Sequence, residues 1–173
     1  KTIFADIPAP AAPTEKFEHP LPGNADPLVG IITDPEAQRA NIEVLWKTQP
    51  LPKEFMNTDM AYLHNIIKTY IRLIMRERFG DISARPDAPF LGAGFGVSKL
   101  CNTCEATAGN VEFKDGDAVN AFTAFVTEIE KLKRYGFTEG EVTRAKDNLL
   151  QHYEKAVEGA SSRKNADFVR TLL

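Results

Sequence analysis

Residues 128–146, running from Glu128 through Gly136 and Thr138 to Lys146, constrain the fold more than any other part of this chain, because they spell two helices and the corner joining them. Gly136 suits the left-handed position just past a helix end, where a side chain would be penalised, and it brings Phe137 within reach of Leu132. Thr138 supplies a hydroxyl to cap the next helix. Glu141, at the third helical position, can reach back to the Thr138 amide and complete a capping box. Phe137 and Val142 form the matching hydrophobic staple. Several independent signals agree over one short stretch, and such agreement is what specifies a corner.

Amphipathic patterns extend from both sides. From Asp117 onward, Val119, Phe122, Phe125, Val126, Ile129 and Leu132 form an apolar stripe facing away from Asn120, Thr123, Glu130 and Lys131. Glu130 and Arg134 make an i,i+4 pair in the favoured order. Lys131, Lys133 and Arg134 crowd the last turn before Gly136, where cations favour the negative end of the helix dipole, so the basic run is explained by the helix itself. Beyond the corner, Val142, Ala145, Leu149, Tyr153 and Val157 continue the pattern to about Gly159, and Ser162 can cap a last partial helix.

Earlier in the chain the period changes. Leu28 to Thr33 is a short apolar run ended by Asp34-Pro35, and Asn41 to Lys47 alternates with Ile42, Val44 and Trp46 on one face. Both are expected to be strands. Asn57-Thr58-Asp59 offers a cap, after which Met60, Leu63, Ile67, Tyr70, Ile71 and Ile74 recur at helical spacing until Gly80, with Arg76 and Arg78 in the last turn. Phe90 to Leu100 and Cys104 to Phe113 lean to β structure around the small turn Cys101-Asn102-Thr103, which predicts a hairpin. Two strands, a helix, two strands and two helices make an α+β domain, with a largely antiparallel sheet and helices packed on one face.

A chain of 173 residues fits one domain and would bury roughly 70% of its unfolded surface. Six prolines (Pro8, Pro10, Pro13, Pro20, Pro22, Pro27) fall before residue 28 and remove amide donors, so residues 1–24 are expected to be an extended linker and residues 25–173 the domain. A Pro-rich ligand role fits less well, since no clean P-x-x-P stands beside an Arg. Acidic and basic residues, 24 and 21, are intermixed with no basic stripe, which argues against nucleic acid as a partner. No run approaches the ~20 apolar residues of a membrane span. The chain opens on Lys1, and Phe168, Val169, Leu172 and Leu173 read as a helix cut while still apolar, so a fragment of something longer is expected. Its compartment stays open, with an extracytoplasmic one expected of a bacterial source.

Residues that could carry chemistry do not assemble into a site. His64 and His152 begin neither H-E-x-x-H nor H-x-x-E-H, and His19 lies in the Pro-rich stretch. Cys101-Asn102-Thr103-Cys104 is a true C-x-x-C, but both flanks read as strand, a redox motif wants a helix after it, and zinc would need further ligands. Incidental cysteines are the leading reading, then a local disulfide, then redox or metal work. No G-x-S-x-G elbow occurs, and Ser162-Arg163-Lys164 lacks a base with an orienting partner. Gly92-Ala93-Gly94-Phe95-Gly96 lacks phosphate-loop spacing and a following helix. Glu139 and Glu141 are accounted for by capping.

The corner, read as Ile129-Glu130-Lys131-Leu132-Lys133-Arg134-Tyr135-Gly136-Phe137-Thr138-Glu139-Gly140-Glu141-Val142 and followed by Ala145-Lys146 and Leu149-Leu150, resembles the E-x-x-R-x-x-x-G-F-T-x-x-E-L-x-x-A-K-x-x-L-L signature of the M16 zinc metallopeptidases, the pitrilysin, insulin-degrading and mitochondrial processing peptidase family. Thr33-Asp34-Pro35-Glu36-Ala37-Gln38 is similar to that family's D-P-E-x-Q segment, and the helix through Ile71-Arg72-Leu73 to its L-N-x-R-L helix. The resemblance spans about residues 3 to 170. It implies the non-catalytic second domain of an N-terminal half, helping to wall a chamber in which peptides are cleaved. The inverted zinc motif H-x-x-E-H and its downstream glutamate belong to the preceding domain of such enzymes, where the motif glutamate activates the zinc-bound water, and no position here matches them. No catalytic, cofactor-binding or metal-binding residue is therefore carried over. The resemblance implies zinc in the parent enzyme and none in this chain, with the other M16 domains and a peptide substrate as partners. A non-enzymatic core subunit of the same fold is the alternative.

Overall fold

The computed structural model describes residues 17–114, 116–162 and 164–167, together with Pro8, Ala12 and Thr14. Strand β1 (Ala40–Thr48) is followed by helix α1 (Asp59–Ser83), strands β2 (Gly92–Cys101) and β3 (Cys104–Phe113), and helices α2 (Ala118–Tyr135) and α3 (Glu139–Glu158). Single 3-10 turns occur at Lys53–Phe55 and Ala160–Ser162. The sheet has the order β1-β3-β2 and is antiparallel throughout, so the last strand in sequence is central. Ile42 and Ala93 flank Val111 in register. The arrangement is the α+β fold expected, with helices packed against the sheet.

The core gathers Met75 and Phe79 of α1, Phe90, Val111 and Phe113 of the sheet region, and Ala121 and Phe125 of α2. Phe79 stacks on Phe125 at 5.4 Å between centroids and meets Phe90 edge-on at 6.0 Å, the offset and T-shaped geometries that the ring quadrupole favours. A Cβ at Gly109 would lie 2.4 Å from Phe125 Cζ, so α2 seats its central ring directly on the backbone of β3. Buried positions in β3 alternate as Gly109, Val111 and Phe113 at one end, but as Cys104 and Ala106 at the other. Period-2 geometry puts these two sets on opposite faces.

Several local expectations are corrected. Leu28 to Thr33 forms no strand: it is coil, with Leu28, Val29, Ile31 and Ile32 at least 83% exposed, because no neighbouring strand among the described residues takes up its backbone groups. Gly80 does not stop α1, which continues to Ser83 because Ile82 keeps the apolar stripe on the core. Thr58 does not cap α1 with its side chain; its hydroxyl donates to the Phe55 carbonyl at 2.6 Å, and Asn57 takes a φ of 64°. Strand β2 starts at Gly92 rather than Phe90, which is buried in the core. The hairpin turn is only Asn102-Thr103, since Cys101 is still paired.

At the corner, the Gly136 amide donates to the Leu132 carbonyl at 2.8 Å, and the Thr138–Glu141 capping box is complete. Gly136 has φ 68° but ψ −146°, which is not the left-handed helical well expected but a region open essentially to glycine alone. Phe137 and Leu132 both pack against the core. Ser162 donates to the Gly159 carbonyl at 2.9 Å. The apolar ending Phe168, Val169, Leu172 and Leu173, Arg163, and most of the expected linker before Phe17 lie outside the described residues.

Candidate functional site

Arg78 holds the corner to the rest of the domain. It projects from α1 four residues after the buried Ile74, and its Nε and Nη2 donate to the two carboxylate oxygens of Glu141 at 2.5 and 2.8 Å. Nη2 also donates to the Gly136 carbonyl at 3.0 Å, and the guanidinium lies 5.6 Å from the Phe137 ring centroid. Glu141 meanwhile accepts from the Thr138 amide and hydroxyl at 2.8 and 2.9 Å. The Arg78 hydrogen bond chiefly drives the Glu141 carboxyl down to about 2, against the opposing effect of burial, and the capping bonds from Thr138 add to it. Arg78 is raised in turn, first by its bond to Glu141. This cluster is saturated by its own partners, and its chemistry is structural.

A second cluster joins α1 to β3. Glu105 accepts from Lys68 Nζ at 2.5 Å, and its other oxygen lies 3.5 Å from His64 Nε2. Burial pushes the Glu105 carboxyl up, yet the hydrogen bonds and charges of Lys68 and His64 together outweigh it and leave the group lowered. These residues do not fit zinc: the carboxylate oxygen beside the one available imidazole belongs to a group already held by an ammonium, which repels a cation. Among the described residues, no cluster of three or more His, Cys, Asp or Glu side chains could hold a metal ion.

The other sequence candidates stay apart. His19 stacks edge-on with Phe17 in the N-terminal segment, and His152 lies on α3 beside Tyr153. Cys101 and Cys104 are free thiols at the hairpin tip, one exposed and one buried. Gly94 leaves room for the Asn110 amide, whose Oδ1 would be 2.6 Å from a Cβ, so glycine there serves cross-strand packing rather than a phosphate. A cavity of about 250 Å³ between α1 and α3 is lined by Leu73, Arg76, Glu77, Ala145 and Asn148, with Glu77 engaged by Arg144 at 2.7 Å. Sequence reasoning missed the roles of Arg78, Lys68 and Glu105. The signal for Arg78 was its i+4 relation to Ile74 on the buried stripe; for Glu105, it was a carboxylate set between two small strand residues.

No family model and no curated protein matches this sequence. Among solved structures, the chain is similar to the first half of the periplasmic protease PqqL from Escherichia coli, at TM-score 0.69 and 15% identity, over 79% of this chain and 29% of that one. It is equally similar to the whole PqqL protease, of which it covers 15%. The chain thus spans less than a third of either. At this identity the likeness is one of fold, and it supports the M16-like fold that the corner motif implied.

Proposed function

We propose that this chain is a structural, chamber-forming domain of a zinc-dependent metalloendopeptidase, with the zinc site in a domain outside these residues. The observation that carries this reading is the fold likeness to a protease of which the chain covers only a part. The signature at the corner supports it. So does the way the ionic clusters are spent: Arg78 and Glu141 lock α1 to the α2–α3 corner, and Lys68 and Glu105 lock α1 to the sheet. Such a domain contributes a rigid wall and contact surface to the parent, and takes no proton and holds no metal in peptide hydrolysis. Its partners are the other M16 domains, on the same chain or a second subunit, and the peptide in the parent enzyme.

The sequence preceding residue 1 in the parent tests the proposal. An H-x-x-E-H motif in a domain of the same fold, together with zinc-dependent peptide cleavage by the parent, is the expected result. A parent with neither motif nor cleavage would transfer the chain to the non-enzymatic core-subunit reading.

A further inference from the structure

We propose that the hairpin tip is a reversible thiol–disulfide site, at which Cys101 and Cys104 exchange with a small-molecule disulfide of the glutathione type to form an intrachain bond. The two cysteines are direct register partners across the β2–β3 ladder, separated by the two-residue turn Asn102-Thr103. The register shifts by one residue between Lys99 and Cys101, so the pair sits just beyond a β-bulge at the end of the ladder. Paired antiparallel residues lie about 4.5–5.5 Å apart between Cα atoms, within the range of about 4.4–6.8 Å that a disulfide spans. Both thiols are free.

Their environments divide the two steps of the exchange. Cys101 is exposed, and its sulfur lies 3.4 Å from the Thr103 hydroxyl. That contact, with the turn amides and Lys99 behind it, lowers the Cys101 thiol below its ordinary value. Cys104 is 3% exposed and donates to the Glu105 carbonyl at 3.1 Å, protected from direct attack by a bulky reagent. The Cys101 thiolate attacks one sulfur of oxidised glutathione; the glutathione S–S bond breaks, and one glutathione leaves as a thiolate and takes up a proton. Cys104 then attacks Cys101 Sγ, the bond between Cys101 and the second glutathione breaks, and that glutathione leaves as a thiolate and takes up the proton that Cys104 gives up. Two protein thiols are oxidised and one glutathione disulfide is reduced to two thiols. The Thr103 hydroxyl also lies 2.8 Å from the His19 carbonyl, so its single proton goes either to that oxygen or to the Cys101 sulfur.

Equilibration of the 173-residue chain in glutathione buffers of increasing oxidised fraction, with acid quenching, alkylation and peptide mass analysis, tests the site. The expected product is a monomer lacking both thiol hydrogens, with a link between Cys101 and Cys104 that dithiothreitol reverses. Brief alkylation of the reduced chain should label Cys101 on the order of tenfold faster than Cys104. Cys104→Ser should trap glutathione on Cys101, whereas Cys101→Ser should leave Cys104 unmodified without denaturant. Persistent mixed disulfide in the unsubstituted chain, disulfide-linked dimers, or two free thiols in oxidised buffer would each overturn the proposal.

Discussion

Glu141 performs two jobs at once: it closes the capping box at Thr138 and receives the fork of Arg78. Because the fork is bidentate and also reaches the Gly136 carbonyl, lysine is a poor substitute. Arg78→Ala should cost about 2 kcal/mol in urea unfolding, as expected for hydrogen bonds to a charged partner, and Arg78→Lys should recover only part of it. Full recovery by lysine would show that charge alone matters there. The same carboxylate sets an acid limit. Its folded value of about 2 lies below the ordinary 4.5, so its contribution is complete above pH 4.5 and is lost as pH falls toward 2. The loss should be about 1–2 kcal/mol, discounted from the full linkage value for solvent screening. Glu105, also lowered, acts in the same direction. Glu141→Gln should flatten the decline in stability between pH 4.5 and 2 measured by thermal unfolding, and an unchanged slope would remove Glu141 from the account.

Among the elements, the sharpest contact is between β3 and α2. Gly109 has no room for a methyl group beside Phe125, so Gly109→Ala should cost about 1–3 kcal/mol through overpacking. In a Phe125→Leu background the added cost should shrink, because the shortened side chain vacates the space; additive costs would place the strain elsewhere. The helices, the β2–β3 hairpin and the corner were legible in the sequence because each rests on local periodicity or capping, which neighbouring residues determine. Gly136 was legible as a glycine-requiring position, but its ψ was not, since that depends on how Arg78 draws the Gly136 carbonyl. Thr58 failed as a side-chain cap because its hydroxyl is turned back to donate to the Phe55 carbonyl and accepts from no first-turn amide. The run Leu28 to Thr33 failed as a strand for a different reason: a short apolar run marks side chains that favour burial, and a strand also needs an edge to join. Clusters such as Lys68–Glu105 depend on residues 37 apart in sequence, and nothing local announces them.

For the molecule as a whole, charge and apolar surface tell one story. The interior ionic groups are matched within the domain, and no described side-chain polar atom is both buried and unsatisfied. Apolar groups are treated differently: Leu28, Val29, Ile31 and Ile32 in the N-terminal segment, and Met60, Leu63 and Ile67 on α1, are all about half exposed or more. Exposed apolar surface of this kind is what the proposed packing beside other domains would cover. Histidine spacing in the sequence leads to the expectation of no metal site, and in the fold His64 Nε2 lies beside the Glu105 carboxylate that Lys68 also engages. The most direct test is metal analysis and a peptide-cleavage assay run side by side on this chain and on its full-length parent. Stoichiometric zinc and zinc-dependent cleavage are expected in the parent, and neither in this chain. Zinc or cleavage in this chain alone, or neither in the parent, would contradict that expectation.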